Sequence, residues 1–481
     1  MTEWLDMLAA KRRFGMKPGL DSIKAVLDEL GNPECRLRRV IHIAGTNGKG
    51  ATAAILDACL GSAGYRVGRY TSPHLVKLNE RFFYRGAPLD DATLERSALQ
   101  VASLKSQGGD SPLTFFEALT AVGFLVYVGL DPDYLVLETG LGGRLDATNA
   151  WRDPAADAPF PDGSLSIITR IGLDHCDWLG DTVEKIAAEK AGIIKPGVPI
   201  LLGRNVDSVR EVVERRARSL GSPFYYAPDL ADESEIPSDF SLRGSFNREN
   251  ALTALAALKL LNSIEKSINR KIEKFSPGFS RVVWPGRFQQ IGRYIVDGAH
   301  NPPAARALSA ALSEEYGDRA FTLIAGFCAD KDIDETLRIL KPHISSAIAV
   351  KTTNPRSLSP EDLAAKMRSL GIPAVAAPSL SAALARIKKS GGSSGSLSGT
   401  HGTHETSATC DDCAPRSSSI NQSPNTPIQS VNRLIGQSIN TIISPSVLIC
   451  GSLFLAGEAV VKLGGFPWQS DRADPSEGPH R

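Results

Sequence analysis

The chain has 481 residues, 42% of them hydrophobic, and a formal net charge of +1. That length predicts two or three domains with real cores, and the balanced charge gives no basic excess for a nucleic-acid partner and no acidic tail. Residues 1–14 are charged and lack an apolar stretch, which argues against a secretory signal there. The most apolar run, 118–130, is too short to span a bilayer and reads as a buried helix, so no membrane partner is expected. Seven scattered cysteines (Cys35, Cys59, Cys176, Cys328, Cys410, Cys413 and Cys450) fit free thiols in a reducing compartment, and a cytoplasmic protein is expected.

In chain order, residues 21–30 carry helical apolar spacing at Ile23, Val26, Leu27 and Leu30, with Gly31 as a stop. Residues 39–44 read as a buried strand that runs through a glycine loop into a helix over 51–60. Residues 134–138 and 166–169 are further apolar strands, and 248–261 reads as a helix. After Pro285 the alternation restarts, with strands at 294–296, 321–325, 347–350 and 447–450. Helices fit at 304–312, 333–340 and 360–369. Strands alternating with helices predict parallel sheets covered on both faces. The expected class is therefore α/β: a phosphate-loop domain with a mostly parallel sheet, then a smaller Rossmann-like α/β domain, with the boundary at 283–286. Residues 151–163, rich in Pro and Asp, read as a surface loop. Residues 390–432, dominated by Ser, Gly, Thr, Asn and Pro, lack the apolar content to offset ordering entropy and are expected to be disordered.

The strongest local signal is Gly45-Thr46-Asn47-Gly48-Lys49-Gly50, between a strand and a helix. Glycines let backbone N–H groups curl around phosphate oxygens, the helix N-terminus adds positive dipole, and Lys49 supplies a point charge. A phosphate loop usually has Ser or Thr directly after this lysine region to face Mg²⁺; here Gly50 and Ala51 come first and Thr52 follows. Glu138 ends a strand and meets the glycine-rich run 140–143, where α/β proteins place ligand groups, and its hard carboxylate suits Mg²⁺. Ser72, before Pro73, lies in a turn from which a hydroxyl could reach a metal; alone it is an ordinary Ser-Pro turn. Gly172-Leu173-Asp174-His175 follows another strand, and Lys190 closes a helix, where a lysine is ordinarily a solvated charge. In the second half Arg287 follows a glycine turn and suits a phosphate by its planar fork. Asp297, suited to a ribose hydroxyl, and His300 follow a strand.

Together these residues resemble the folylpolyglutamate synthases and bifunctional dihydrofolate synthases, a branch of the muramyl-ligase superfamily. The resemblance runs from Phe14-Gly15-Met16-Lys17-Pro18-Gly19-Leu20 through A-G-T-N-G-K-G, T-S-P-H-L, L-T-F-F-E, E-T-G-L-G-G-R-L-D-A-T-N, G-L-D-H, E-K-A-G-I, R-E-N-A, P-G-R-F-Q and D-G-A-H-N-P to C-G-S-L-F-L-A-G-E. It implies an ATP-binding ligase domain over 1–284, a glutamate-ligase domain over 285–466 holding the 390–432 insertion, and a tail over 467–481. It implies ligation of L-glutamate to a folate or dihydropteroate carboxylate through an acyl phosphate, giving ADP and phosphate. Lys49, Lys190 and His175 would be catalytic. Gly45, Thr46, Asn47, Gly48, Lys49 and Gly50 would bind ATP with Asn250, Arg287, Asp297 and His300. Ser72, Glu138 and His175 would hold Mg²⁺, and Lys190 would be carbamylated and serve a second Mg²⁺. Thr114, Phe115, Phe116, Asp146 and Ala147 would line the pterin pocket, in a protein expected to be monomeric.

Ala51 stands where this family usually has Ser or Thr, so weakened Mg²⁺ affinity is expected. His401, His404, Cys410 and Cys413 in the insertion have a spacing that could hold Zn²⁺; the alternative is accidental clustering in a polar segment. Two rival readings are a muramyl-type amino-acid ligase and a phosphate-loop switch without ligase activity. The first would need an N-terminal nucleotide domain for which the loop at Gly45 leaves no room, and the second needs no acceptor pocket.

Overall fold

A computed structural model of the protein describes residues 19–104, 113–151, 163–264, 274–391 and 445–468. Residues 14–18, the interior of the 151–163 loop, most of the 390–432 segment with its His and Cys quartet, and the far C-terminus lie outside the described residues.

The strands form two sheets. The first holds β1 (Val40–Ala44), β2 (Val67–Tyr70), β3 (Phe82–Tyr84), β4 (Ala87–Pro88), β5 (Tyr134–Glu138), β6 (Leu165–Ile168), β7 (Ile200–Leu202) and β8 (Phe224–Tyr226). Their spatial order is β4-β3-β2-β5-β1-β6-β7-β8. All neighbours are parallel except the β2-β3-β4 meander at one edge. The second sheet holds β9 (Gln289–Ile291), β10 (Tyr294–Val296), β11 (Phe321–Ala325), β12 (Ile344–Val350), β13 (Ala374–Ala377) and β14 (Val447–Cys450). Its order is β13-β12-β11-β14-β10-β9, parallel but for the β9–β10 pair.

Continuous apolar runs make the central strands because both faces are covered. Every residue of β1 and β5 is buried. One face of the first sheet packs the helix Lys49–Ser62 and the helix Ser245–Ile264, and the other packs the helix Phe115–Leu130. That last helix is the apolar run of the sequence, opened by a capping box in which Thr114 and Glu117 satisfy each other's backbone N–H. Among the described residues no helix is long and apolar enough to cross a membrane.

Two segments tie the halves together. The turn after β2 sends Leu75 and Val76 into the apolar cluster of the second sheet, and the Ser245–Ile264 helix presents Phe246 to Phe288 with ring centroids 6.2 Å apart. That helix begins at Ser245, not at Arg248 as expected. Its extra turn is held by the Gly244 N–H donating to Glu315 at 2.9 Å and by Arg243 pairing with Glu315 and Gln290. β6 likewise ends at Ile168, short of the expected 169, because the Thr169 hydroxyl turns to donate to the Asn47 carbonyl at 2.7 Å.

Candidate active site

The phosphate-type loop leaves the centre of the first sheet. β1 has β5 on one side and β6 on the other, so crossovers diverge there and open the crevice in which parallel sheets bind ligands. The loop is braced by the neighbouring strand end: the Thr46 and Asn47 N–H groups both donate to the Arg170 carbonyl, at 3.0 and 3.2 Å. The Thr46 hydroxyl exchanges hydrogen bonds with Gly172.

Glycine is obligatory at two points of this turn. Gly45 (φ +154°) would put a Cβ 1.8 Å from Thr169 Oγ1, and Gly48 (φ +88°) would put one 2.0 Å from Asn250 Oδ1. Gly50 is closed in by Trp284, whose ring would lie 2.3 Å from an added Cβ. Asn250, expected at the nucleotide, is thus in van der Waals reach of the loop. Trp284 carried no motif signal and is found only through this long-range contact.

Lys49 donates to the Gly45 carbonyl at 3.0 Å, and Lys190 donates to the same oxygen at 2.9 Å. Lys190 is no solvated charge: it is 3% exposed. Burial first, and the Lys49 charge second, bring its ammonium down to about 7, with Asp174 and Asp146 opposing.

Glu138 is buried at the end of β5 and accepts the Ser72 N–H at 2.9 Å. Burial pushes its carboxyl up, while Lys49, the Ser72 N–H, Arg287 and Arg69 favour the ionised form. Cations of both halves therefore face one carboxylate. A carboxylate and a hydroxyl of this kind are hard oxygen donors that fit Mg²⁺. His175 is exposed, at φ +52°, capping the short helix Cys176–Leu179. Among the described residues no three His, Cys, Asp or Glu side chains gather into a metal-binding cluster; of the expected Ser72, Glu138 and His175 set, the structure joins Ser72 to the buried Glu138 and leaves His175 exposed on another loop.

Phe116 lies over Gly140, where a Cβ would meet its ring at 2.6 Å, and 6.3 Å from the Tyr70 ring; Phe115 is half-buried beside it. Asp146 accepts from the Gly140 and Leu141 N–H groups, both at 2.8 Å, and from the Thr148 N–H and hydroxyl at 3.0 and 2.6 Å. Its carboxylate thus organises the glycine loop before Ala147, and Thr148 passes the network to His42 of β1 at 2.9 Å. His42 is wholly buried, which lowers it to about 3 and keeps it neutral.

Across the cleft Arg287 is half-buried, with its guanidinium against Gly298. Burial lowers it, and Asp297 and Glu138 oppose that. Asp297 accepts the Phe288 and Ala299 N–H groups at 2.7 Å each. His300 is held by its ring nitrogen Nδ1 on the Gly298 carbonyl at 2.8 Å. Asp174 of the first half acts on both His300 and Lys190, so the two halves face each other over one cleft.

A phosphate-type loop on a parallel sheet, facing a second α/β unit across a cleft of cations and one metal-competent carboxylate, defines an ATP-dependent ligase. Comparison with known proteins agrees and sharpens this. Residues 286–396 match the Mur ligase, glutamate ligase domain. The chain is 32% identical over 356 residues to the dihydrofolate synthase/folylpolyglutamate synthase of Bacillus subtilis, covering 68% of this chain and 80% of that one. Escherichia coli FolC in complex with DHPP and ADP superposes with a TM-score of 0.70 at 26% identity, over 96% of this chain and 97% of that one. The Yersinia pestis bifunctional folylpolyglutamate synthase/dihydrofolate synthase complexed with AMPPNP and Mn ion gives 0.71 at 26% identity, over 96% and 97%. The chain belongs to the dihydrofolate synthase/folylpolyglutamate synthase family, whose reaction is ATP-dependent ligation of glutamate to a folate.

Proposed function

We propose that this protein glutamylates both tetrahydrofolates and dihydropteroate, each through an acyl phosphate, at the cleft between residues 1–284 and 285–466, with 467–481 as a tail. The observation that carries the reading is the convergence of Lys49, Lys190, Glu138 and Arg287 on one crevice. A carboxylate is a poor electrophile because oxide is a poor leaving group; taking the γ-phosphoryl of ATP makes phosphate the leaving group, and the glutamate amine then attacks.

In this reading the loop 45–50 cradles the phosphates with its N–H groups other than those of Thr46 and Asn47, which brace it on the Arg170 carbonyl, and Lys49 follows the charge of the moving phosphoryl group. Ser72, Glu138 and His175 would hold Mg²⁺, which supplies charge neutralisation when bound. Lys190, with a neutral fraction near pH 7, has the free amine that carbon dioxide needs, and a carbamate there would exchange a cation for the carboxylate of a second metal position. Asn250, Arg287, Asp297 and His300 would complete the nucleotide site from the far wall, and closure of that wall keeps water from the acyl phosphate. Thr114, Phe115, Phe116, Asp146 and Ala147 would receive the pterin. A cytoplasmic monomer completes the proposal.

The test is phosphate release from ATP and Mg²⁺ with L-glutamate and either dihydropteroate or tetrahydrofolate. Release with both is expected. Release with tetrahydrofolate alone would restrict the enzyme to polyglutamylation, and release with neither would overturn the reading.

A further inference from the structure

The turn after β2 is fixed at both ends by carboxylates. Glu138 takes the Ser72 N–H, and Glu80 takes the N–H groups of Leu75, Val76 and Lys77. Between them stands His74, half-buried. Arg81, 9% exposed, donates from Nε to His74 Nδ1 at 3.0 Å. A nitrogen that accepts carries a lone pair, so the neutral ring bears its proton on Nε2. Among the described residues no protein group takes that second nitrogen's hydrogen bond.

The location gives the donor a partner. The Arg81 charge also acts on Tyr70 and on Glu138. Tyr70 packs on Phe116, at the expected pterin end. Glu138 marks the expected phosphate end. The Arg81–His74 pair is thus linked to both ends, and an acceptor molecule spanning them brings its reacting carboxylate past it to the phosphate end. Glu80, the nearest acid in sequence, is committed to backbone N–H groups, and among the described residues Arg81 makes no direct ion pair with a carboxylate, so its charge favours an anion beside His74.

We propose that His74 donates from Nε2 to the acceptor carboxylate that receives the phosphoryl group, and that Arg81 is a positioning residue that fixes His74 in the donor tautomer. This rests on the ligase reading above. It predicts an effect on acceptor recognition rather than on ATP.

The experiment is a steady-state comparison of wild type with H74F, H74Q, R81A and R81A/H74Q, using dihydropteroate and tetrahydrofolate as acceptors. H74F is expected to raise the acceptor KM about tenfold or more, the loss of one hydrogen bond to a charged group, with the ATP KM within about twofold. H74Q keeps an N–H at the Nε2 position and is expected within about threefold of wild type. R81A is expected to cost about tenfold in the wild-type background but under about threefold beside H74Q, because an amide has no tautomer to fix. If R81A does not fold by circular dichroism, the H74F and H74Q pair decides alone. An H74F acceptor KM within about twofold of wild type, or an equal cost of R81A in both backgrounds, overturns the proposal while leaving the ligase reading intact. A wild-type protein that turns over neither acceptor overturns both.

Discussion

Lys49 and Lys190 place their ammonium groups on one acceptor, the Gly45 carbonyl, at 3.0 and 2.9 Å. Burial first, and second the repulsion between two cations on one neutral oxygen, bring Lys190 down to about 7 from 10.5. A base whose pKa is lowered on folding binds fewer protons in the folded state, so stability falls as the pH is lowered from 10.5 to about 7, and the cost is complete below about 7. The interval of about 3.5 corresponds to an upper limit of about 5 kcal/mol. Lys190→Met should therefore unfold at higher temperature than wild type at pH 7, in carbon-dioxide-free buffer without Mg²⁺. The gap should close as the pH approaches 10, and thermal melts across that range check it. The same variant should lose at least about 100-fold in kcat, the scale for removing a preorganised charged group, and added bicarbonate should raise the activity of wild type only.

Ala51 removes a hydroxyl from the first turn after the phosphate loop, and Thr52 does not replace it. Thr52 is fully buried and its hydroxyl has no hydrogen-bond partner among the described residues. Ala51→Ser should lower the Mg²⁺ concentration for half-maximal activity by about three- to tenfold, as one added hydroxyl contact allows. Thr52→Val should leave that Mg²⁺ curve unmoved and be neutral or stabilising by about 1 kcal/mol, because a buried unpaired hydroxyl costs free energy. Mg²⁺ titrations of phosphate release and a urea melt separate the two; a Thr52→Val variant that needs more Mg²⁺ would show that the hydroxyl does reach the site.

Much of the scaffold was legible because burial on both faces writes long apolar runs. β5, β11 and β14 and the helices Ile333–Leu340 and Pro360–Ser369 fall on the residues expected for them. The strands β2, β3, β4, β7, β8, β9 and β13 were not foreseen, since they are two to four residues long and owe their shape to the strands beside them. The glycine loop was legible because only glycine fits Gly45 and Gly48. The burial of Lys190, the Trp284 wall on Gly50 and the Arg81 hold on His74 were not. Each is a meeting of segments brought together by the fold, and none alters the local pattern around it.

Gly457 shows how closely the two halves meet. It lies inside the helix Leu453–Lys462, and an added Cβ would stand 2.3 Å from the Leu75 carbonyl. Glycine to alanine inside a helix ordinarily stabilises by about 1 kcal/mol. Here the backbone clash should win, with a net loss of about 1–3 kcal/mol as for an overpacked core. Because Leu75 belongs to the turn that carries Ser72 and His74, Gly457→Ala should also raise the acceptor KM. A Gly457→Ala protein with a higher melting temperature and unchanged kinetics would show that the contact is not maintained in solution.

Asp57 and Arg69 form an ion pair at 3.4 Å with side chains 6% and 3% exposed. Burial pushes the Asp57 carboxyl up and the Arg69 guanidinium down, each against its partner's pull, so desolvation outweighs the attraction between them. Arg69 also stacks on Phe83 at 3.8 Å and on Trp284 at 5.5 Å, and Trp284 is the wall against Gly50. Breaking the pair from one side strands a buried charge: Asp57→Leu and Arg69→Met should each cost about 3–5 kcal/mol. Removing both charges should cost at least about 2 kcal/mol less than the sum of the two, the coupling expected of side chains in contact. Arg69→Met should in addition raise the ATP KM, since the ring that closes the phosphate loop loses its support, whereas Asp57→Leu should do so less. Urea denaturation of the four proteins of the cycle, with ATP kinetics on the same preparations, checks both parts; additive stabilities would mean that the pair is not coupled and that Arg69 acts through its aromatic contacts alone.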